Sequence, residues 1–322
     1  MADPQMLVQE RLAHNSWGLL GTQGYVLGVD LGGYGLRAAL VDLSKHTYTS
    51  IHAEIQNDAP ESVVAAALNL ARKLLADNDV APDRLVRVGV GFGGPVDPRF
   101  GTIRFSPRQS GWEGFPLQER FESTFDAVTL IDNDANLIAL AEATFGVGKG
   151  TGDLFYLHLS SGVGGGIVLE GRLYHGATAT AGEVGHVVVG QGWDGVGQPA
   201  TLEELASISG LLRRAGELGL STDNLNDIFS DNPIGQRVVQ ETTTLLALRL
   251  AQIIALLDPQ MIVLGGIVVR IGGNAFIQAI ERQTSQFIAP RLARPIPIVA
   301  SVLGFDSVVM GAVALALESL CE

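Results

Sequence analysis

Twice along this chain an apolar strand runs into a glycine-rich turn and an apolar strand returns from it. Residues 25–30 are apolar and β-branched, Leu31-Gly32-Gly33-Tyr34-Gly35 forms the first turn, and residues 36–43 are mostly apolar again. Residues 154–159, the turn Ser160-Ser161-Gly162-Val163-Gly164-Gly165-Gly166 and residues 167–169 repeat the pattern. Each hairpin opens a new α/β stretch, which predicts an α/β fold of two related halves whose turns face one another across a cleft. Glycine lets the backbone approach a bound anion with its N–H groups turned inward, so facing turns of this kind can grip a polyphosphate from both sides. Neither turn is a P-loop, because no Gly-Lys-Ser/Thr follows, and neither opens a helix as a dinucleotide fingerprint does. Asp30, at the end of the first strand, can hold a Mg²⁺ through water, since hard cations select carboxylate and water oxygens. For one hairpin alone, a tight turn with a solvated aspartate explains the residues equally well.

Residues 128–136 read Val-Thr-Leu-Ile-Asp-Asn-Asp-Ala-Asn, an apolar strand with Asp132, Asn133 and Asp134 clustered where it stops. A helix is predicted over 135–145, with Leu137, Ala141 and Phe145 at apolar spacing and Gly146 and Gly148 past its end. Ligands in open α/β sheets bind at such strand ends. Asp134, held by rigid elements on both sides, is a candidate general base for a substrate hydroxyl, the role an aspartate takes in phosphoryl transfer. The alternative is that Asp132 or Asp134 caps the helix.

The intervening segments follow the same alternation. A helix over 61–76 carries Val64, Ala67, Leu68 and Leu75 on one face, and a strand over 85–90 leads into the glycine loop 91–97 that contains Gly94. The polar loop 106–112 either lines a polyol pocket or is a surface turn with Trp112 in the core. Glu183 and His186 lie three apart among glycines, close enough to converge on one ligand hydroxyl; residues 187–200 add only Asp194, so His186 reads as a hydrogen-bonding group rather than a metal ligand. Glu203 is either a third ligand contact or the carboxylate of a capping box. A helix over 238–257 stops at Asp258-Pro259. The strand over 260–264 leads to Gly265-Gly266, where the backbone either passes beneath an adenine or ribose or simply turns into a helix. Helices over 274–288 and 307–320 follow, the second folding back on the first half. Before residue 25, the amphipathic stretch 6–12 belongs to an arm that is packed or partly ordered.

At 322 residues and 47% hydrophobic, the chain is long enough for two domains sharing a cleft. No apolar run reaches the ~18 residues of a membrane span, and Asp3 and Glu10 break up the start where a secretion signal would need an apolar core. The one cysteine, Cys321, can form neither an internal disulfide nor a multi-cysteine zinc site, which points to a reducing, cytoplasmic compartment. A net charge of −13 without any Lys/Arg run argues against nucleic acid as a partner.

Together, Asp30-Leu31-Gly32-Gly33, Asp132-Asn133-Asp134-Ala135-Asn136, Ser161-Gly162-Val163-Gly164-Gly165-Gly166 and Ala181-Gly182-Glu183-Val184-Gly185-His186 resemble the ROK family (repressors, open reading frames and sugar kinases) of the hexokinase and actin superfamily. The resemblance covers nearly everything from Tyr25 onward. It implies a two-domain actin-like ATPase (ribonuclease H-like) fold with an interdomain cleft. The expected parts are an arm (1–24), a smaller α/β domain (25–134 plus 304–322) and a larger one (135–303). The implied activity is ATP- and Mg²⁺-dependent transfer of the γ-phosphoryl group to a hexose hydroxyl, in a cytoplasmic homodimer. By position, Asp134 resembles the catalytic base, and Gly94, Arg108, Asn133, Glu183, His186 and Glu203 resemble sugar ligands. Gly32, Gly33, Ser161, Gly162, Gly164 and Gly165 match the phosphate grips, and Gly265 and Gly266 the adenosine element.

Three positions depart from the family pattern. Residues 190–200 lack the usual cysteines, so zinc is not expected. Tyr34-Gly35 replaces the usual Thr-Lys beside the phosphates, and Arg108 stands where an Asn usually precedes the Trp. The departures leave a second reading beside the hexose kinase, a sugar-sensing and catalytically weak member acting through a protein partner. A purely structural protein, the third, leaves so many glycine turns and carboxylates at strand ends without a purpose.

Overall fold

A computed structural model describes residues 2–13, 23–32, 35–55, 59–104, 110–190, 198–290 and 294–320. Gly33, Tyr34, Arg108, Cys321 and residues 191–197, all weighed above, lie outside these ranges. The chain forms two compact units: residues 1–150, 175–181 and 302–322 make the first, and residues 151–174 and 182–301 the second.

The first unit begins with α1 (Pro4–Ala13), whose Val8 and Leu12 are buried and which packs on the strand β3, so the expected arm is a packed one over its described part. The strands β1 (Tyr25–Gly32), β2 (Gly35–Asp42) and β3 (Thr47–Ala53) run antiparallel, and helix α2 (Pro60–Asp77) follows. Strand β4 (Leu85–Phe92), the short pair β5 (Val96–Asp97) and β6 (Thr102–Ile103), helix α3 (Leu117–Phe125), strand β7 (Thr129–Asn133) and helix α4 (Asp134–Thr144) come next. The sheet order is β3-β2-β1-β4-β7, with β1, β4 and β7 parallel. Leu27, Val29 and Leu31 on one face meet the apolar stripe of α2, including Val64, Ala67, Leu68 and Leu75. Trp112 is buried against Phe92 and Phe115, so of its two predicted places it takes the core.

The second unit contains β8 (Leu154–Leu159), β9 (Val163–Leu169), β10 (Arg172–Leu173), β11 (Val188–Gly190), β12 (Ala200–Thr201), α5 (Leu202–Ala206), α6 (Ile208–Glu217), α7 (Leu225–Ile228), α8 (Pro233–Leu257), β13 (Met261–Gly265), α9 (Ile267–Gln286) and β14 (Ile298–Ala300). Its sheet order, β10-β9-β8-β13-β14, reproduces the first: an antiparallel hairpin extended outward by one strand, with two parallel strands added on the other side. The repeated glycine hairpins therefore do mark two halves of like topology.

Several boundaries differ from the expected ones. Helix α8 starts at Pro233, five positions before the apolar periodicity, because Asn232 caps it through bonds from the N–H groups of Ile234 and Gly235 and Pro233 needs no N–H partner in the first turn. Helix α9 begins at Ile267 and kinks at Gly273, so residues 267–272 are helical too. The units divide after Gly150 rather than after Asp134, because α4 packs against the last helix, α10 (Ser307–Glu318), which returns to the first unit. That packing is backbone on backbone. A Cβ at Gly311 would stand 2.0 Å from the Leu137 carbonyl oxygen, and one at Gly89 would stand 1.9 Å from that of Ala312. Residues 175–181 join the first unit through a bond from Arg99 Nη1 to the Ala177 carbonyl and another from His175 to Asp132. Arg99 is in turn fixed on the buried Asp97, whose carboxylate also takes a bond from Arg104. The Arg99 guanidinium, followed by that of Arg104, holds the Asp97 carboxyl down at about 2.

Gly311→Ala forces an overlap that neither backbone can relieve, and its expected cost is about 3 kcal/mol. Gly216→Ala in α6 meets no atom within 4 Å and is expected to add about 0.5 kcal/mol instead; urea unfolding of the two variants checks the contrast. Asp97→Asn is expected to destabilise the protein at pH 7. Because the folded pKa is depressed, the contribution is present above 3.8 and lost as pH falls through about 2. The gap in melting temperature between wild type and variant should therefore narrow across that acid range, and a constant gap would refute the assignment.

Candidate functional site

Parallel pairing places chemistry-bearing residues at the same level of three adjacent strands. Asp30, Gly91 and Asp132 share one row across β1, β4 and β7, and Leu31, Phe92 and Asn133 share the next, at the carboxyl ends where ligands of open α/β sheets bind. Asp30 is 6% exposed, and among the described residues its Oδ1 has no hydrogen-bond partner. Burial, and then the nearby charge of Asp134, push its carboxyl up to about 7 against the opposing pull of Arg37 and the Gly32 N–H. An anionic oxygen buried without a donor is costly. It fits a hard cation held through water, with Asp134 as a neighbouring carboxylate, rather than a cage made wholly of protein ligands. Among the described residues no group of three or more His, Cys, Asp or Glu could hold a metal ion.

Asp134 is the first residue of α4 and half-buried, and its Oδ1 accepts the Ala135 N–H at 2.8 Å. The helix is capped by neither of the aspartates proposed for that role. Asn133 caps it, with Oδ1 accepting the Asn136 N–H at 2.7 Å. Asp132, 1% exposed, instead braces the turn: its Oδ1 accepts the Asn133 N–H and the Asn136 amide, each at 2.8 Å. Its Oδ2 meets His175 Nε2 at 2.5 Å. The bond to Asp132 raises the His175 pKa above its ordinary value, outweighing the lowering by burial. No spacing in the sequence announces this pair; the one available signal was that a buried aspartate must find partners. Gly94 sits in the bend after β4, its N–H donating to the Phe92 carbonyl at 2.9 Å.

In the second unit the turn between β8 and β9 is closed by the Ser160 N–H on the Gly162 carbonyl at 2.9 Å. Beyond it, β9 and the chain leading to Glu183 touch backbone to backbone: the Gly165 N–H donates to the Gly182 carbonyl at 2.9 Å, and a Cβ on Gly182 would lie 2.3 Å from the Gly165 carbonyl. The Gly165 N–H is thus engaged within the protein, and its missing side chain is what permits the close approach. Glu183 precedes a single 3₁₀ turn (Val184–His186), which brings His186 Nδ1 to 3.2 Å from Glu183 Oε2. Glu203 is not the capping-box carboxylate; Glu204 is, paired with Thr201. Glu203 Oε2 accepts the Val163 N–H at 2.9 Å, at the start of β9. This links the glycine turn to α5. Gly266, with φ of +94° and a would-be Cβ 2.2 Å from the Leu159 carbonyl, must be glycine; it ends β13 and opens α9, so the turn is the strand-to-helix connection.

Asp30, Gly32, Gly94, Asn133 and Asp134 thus belong to the first unit, and Ser161, Gly162, Gly164, Gly165, Glu183, His186, Glu203, Gly265 and Gly266 to the second. Gly33 and Arg108 lie outside the described residues.

Known proteins are similar to this chain in sequence and fold. The chain is 29% identical to a glucokinase of Halalkalibacterium halodurans over 89% of its own length and 93% of that protein's. It is 24% identical to a xylose repressor of Bacillus spizizenii, over 93% of its length and 78% of the repressor's. The crystal structure of a ROK family glucokinase from Streptomyces griseus in complex with glucose and AMPPNP superposes with a TM-score of 0.72 at 25% identity, covering 91% of this chain and 99% of that one. Its fold is accordingly the actin-like ATPase fold of the ROK sugar kinases. The model of the ROK family matches residues 26–319, and with the two like-ordered sheets and the carboxylates at the strand ends of the first, the chain belongs to the ROK family.

Proposed function

We propose that this protein is an ATP-dependent hexose kinase in which Asp134 is the general base. The observation that carries the reading is the Asp30–Asp134 pair: a buried carboxylate oxygen with no donor among the described residues stands beside a half-buried carboxylate at the first turn of a capped helix. In the proposed reaction the sugar hydroxyl oxygen bonds to the γ-phosphorus, the bond from that phosphorus to the bridging oxygen breaks, ADP leaves, and the hydroxyl proton passes to Asp134. Asp30 would hold Mg²⁺ through water, and the ion would neutralise charge on the phosphates. Asn133, Glu183, His186 and Glu203, with Gly94 and Arg108, are proposed as sugar contacts. The cap uses the Asn133 amide oxygen, so its NH₂ group is the part offered to a sugar. The turns at Gly32-Gly33 and Ser161–Gly165 would receive the phosphates, and Gly265-Gly266 the adenosine. Similarity to glucokinases along nearly the whole chain supports this reading. The proposed setting is a cytoplasmic homodimer; among the described residues no helix is long and apolar enough to cross a membrane.

A second reading, a sugar sensor of weak catalytic power acting through a protein partner, is favoured by the similarity to xylose repressors and by Tyr34, Gly35 and Arg108. Coupled ADP release with a panel of hexoses separates the two. Wild type is expected to turn over at least one hexose, and Asp134→Asn to lose about 10²–10⁴-fold in kcat while still being stabilised thermally by that sugar. Sugar stabilisation of wild type without turnover establishes the sensor, and full turnover by the variant removes Asp134 from the chemistry.

A further inference from the structure

Asp132 is a buried acid that the proposed chemistry does not use, one residue from Asn133 and two from the proposed base. A carboxylate removed from water persists only if its lone pairs are met by donors. Among the described residues Oδ1 receives two, both from the turn itself, while Oδ2 receives a donor from a distant part of the sequence, His175 Nε2. The turn is a chain of dependent bonds. Asp132 holds the Asn133 N–H and the Asn136 side chain, Asn133 holds the Asn136 N–H and starts α4, and the carboxylate of Asp134 is directed by the first N–H of that helix. Asn136 Oδ1 is buried without a hydrogen-bond partner among the described residues, so the Asn136 side chain is held in the turn through its NH₂ group on Asp132.

We infer that His175 is a positioning residue for Asn133 and Asp134: it closes the hydrogen-bond frame from outside the turn and fixes the orientation of the carboxylate that receives the substrate proton. The raised pKa of His175 agrees with the imidazole serving as a strong donor to Asp132. The histidine is itself anchored. Its carbonyl accepts the Ala181 N–H at 3.1 Å, and the segment it begins is held by Arg99 at the Ala177 carbonyl. The chain then runs on directly into Gly182 and Glu183. One histidine thus secures both the catalytic turn and the start of the segment that leads to a proposed sugar contact.

This inference rests on the kinase reading, and the test keeps the two apart. Full-length wild type, His175→Leu, which keeps bulk without a donor, and His175→Gln, which restores an N–H at similar reach, are compared for kcat, KM and melting temperature with ATP and the preferred hexose. The Leu variant is expected to lose about tenfold to a hundredfold in kcat, as misplacement of a reacting group does, with KM for ATP nearly unchanged, and the Gln variant to recover most of the loss. A residue of merely structural importance would lower the melting temperature of both variants and leave kcat per folded molecule unmoved; that result, or no recovery in Gln over Leu, overturns the inference. Should His175→Leu not fold, Asp132→Asn, which retains shape and weakens the same bond, takes its place with the same expected split. If wild type phosphorylates no hexose, the kinase reading has failed, and sugar titration calorimetry on the three proteins decides: weaker binding in Leu restored in Gln upholds the positioning role through Asn133, and equal affinities reject it.

Discussion

The first unit depends on a close approach of backbones. Helix α10 lies on β1, β4 and α4 at a distance only glycine permits, with Gly89 against the Ala312 carbonyl and Gly311 against that of Leu137. Interiors pack at crystal-like density, so one added methyl at such a contact has nowhere to go. The consequence reaches the candidate site. With α4 and α10 pressed onto one face of the sheet and α2 onto the other, the ends of β1 and β7 are held in register, and the carboxylates of Asp30 and Asp132 stand in a single row. The same device recurs in the second unit, where Gly165 and Gly182 let two backbones touch and thereby seat Glu183 and His186 beside the β8–β9 turn.

On that frame, electrostatics sorts three neighbouring acids into different roles. Asp132 accepts donors at both oxygens and braces the turn. Asp134 is half-buried with one oxygen engaged by its own helix. Asp30 is buried, with one oxygen that has no partner among the described residues and a carboxyl raised to about 7. A group in that state is poised to gain more from a cation than a solvated carboxylate would, since the ion relieves a desolvation cost already incurred in folding. The difference between the brace, the proposed base and the proposed cation site is therefore one of environment, since all three side chains are chemically alike.

What could be read along the chain was what depends on local pattern. The two glycine hairpins marked two halves of like topology, strand ends carried the polar clusters, and the family motifs led to membership in the ROK family. The α2 stripe was legible too, because burying an amphipathic face leaves a period in the sequence, and the last helix, apolar on nearly every side, had to fold back into a core. Boundaries set by caps were less so: Asn232-Pro233 outranked apolar spacing at the start of α8, and Asn133 took the cap expected of its neighbours.

Sequence by itself determined the α/β class, the duplication and the residues on offer for chemistry, because periodicity and turn composition act over a few neighbouring residues. Tertiary structure alone decided which acid braces and which stays half-buried, that Glu204 rather than Glu203 closes the capping box, and that His175 meets Asp132 across 43 positions of chain. Such pairings arise from packing at long range, where the cost of burying a charge selects partners that no local spacing encodes.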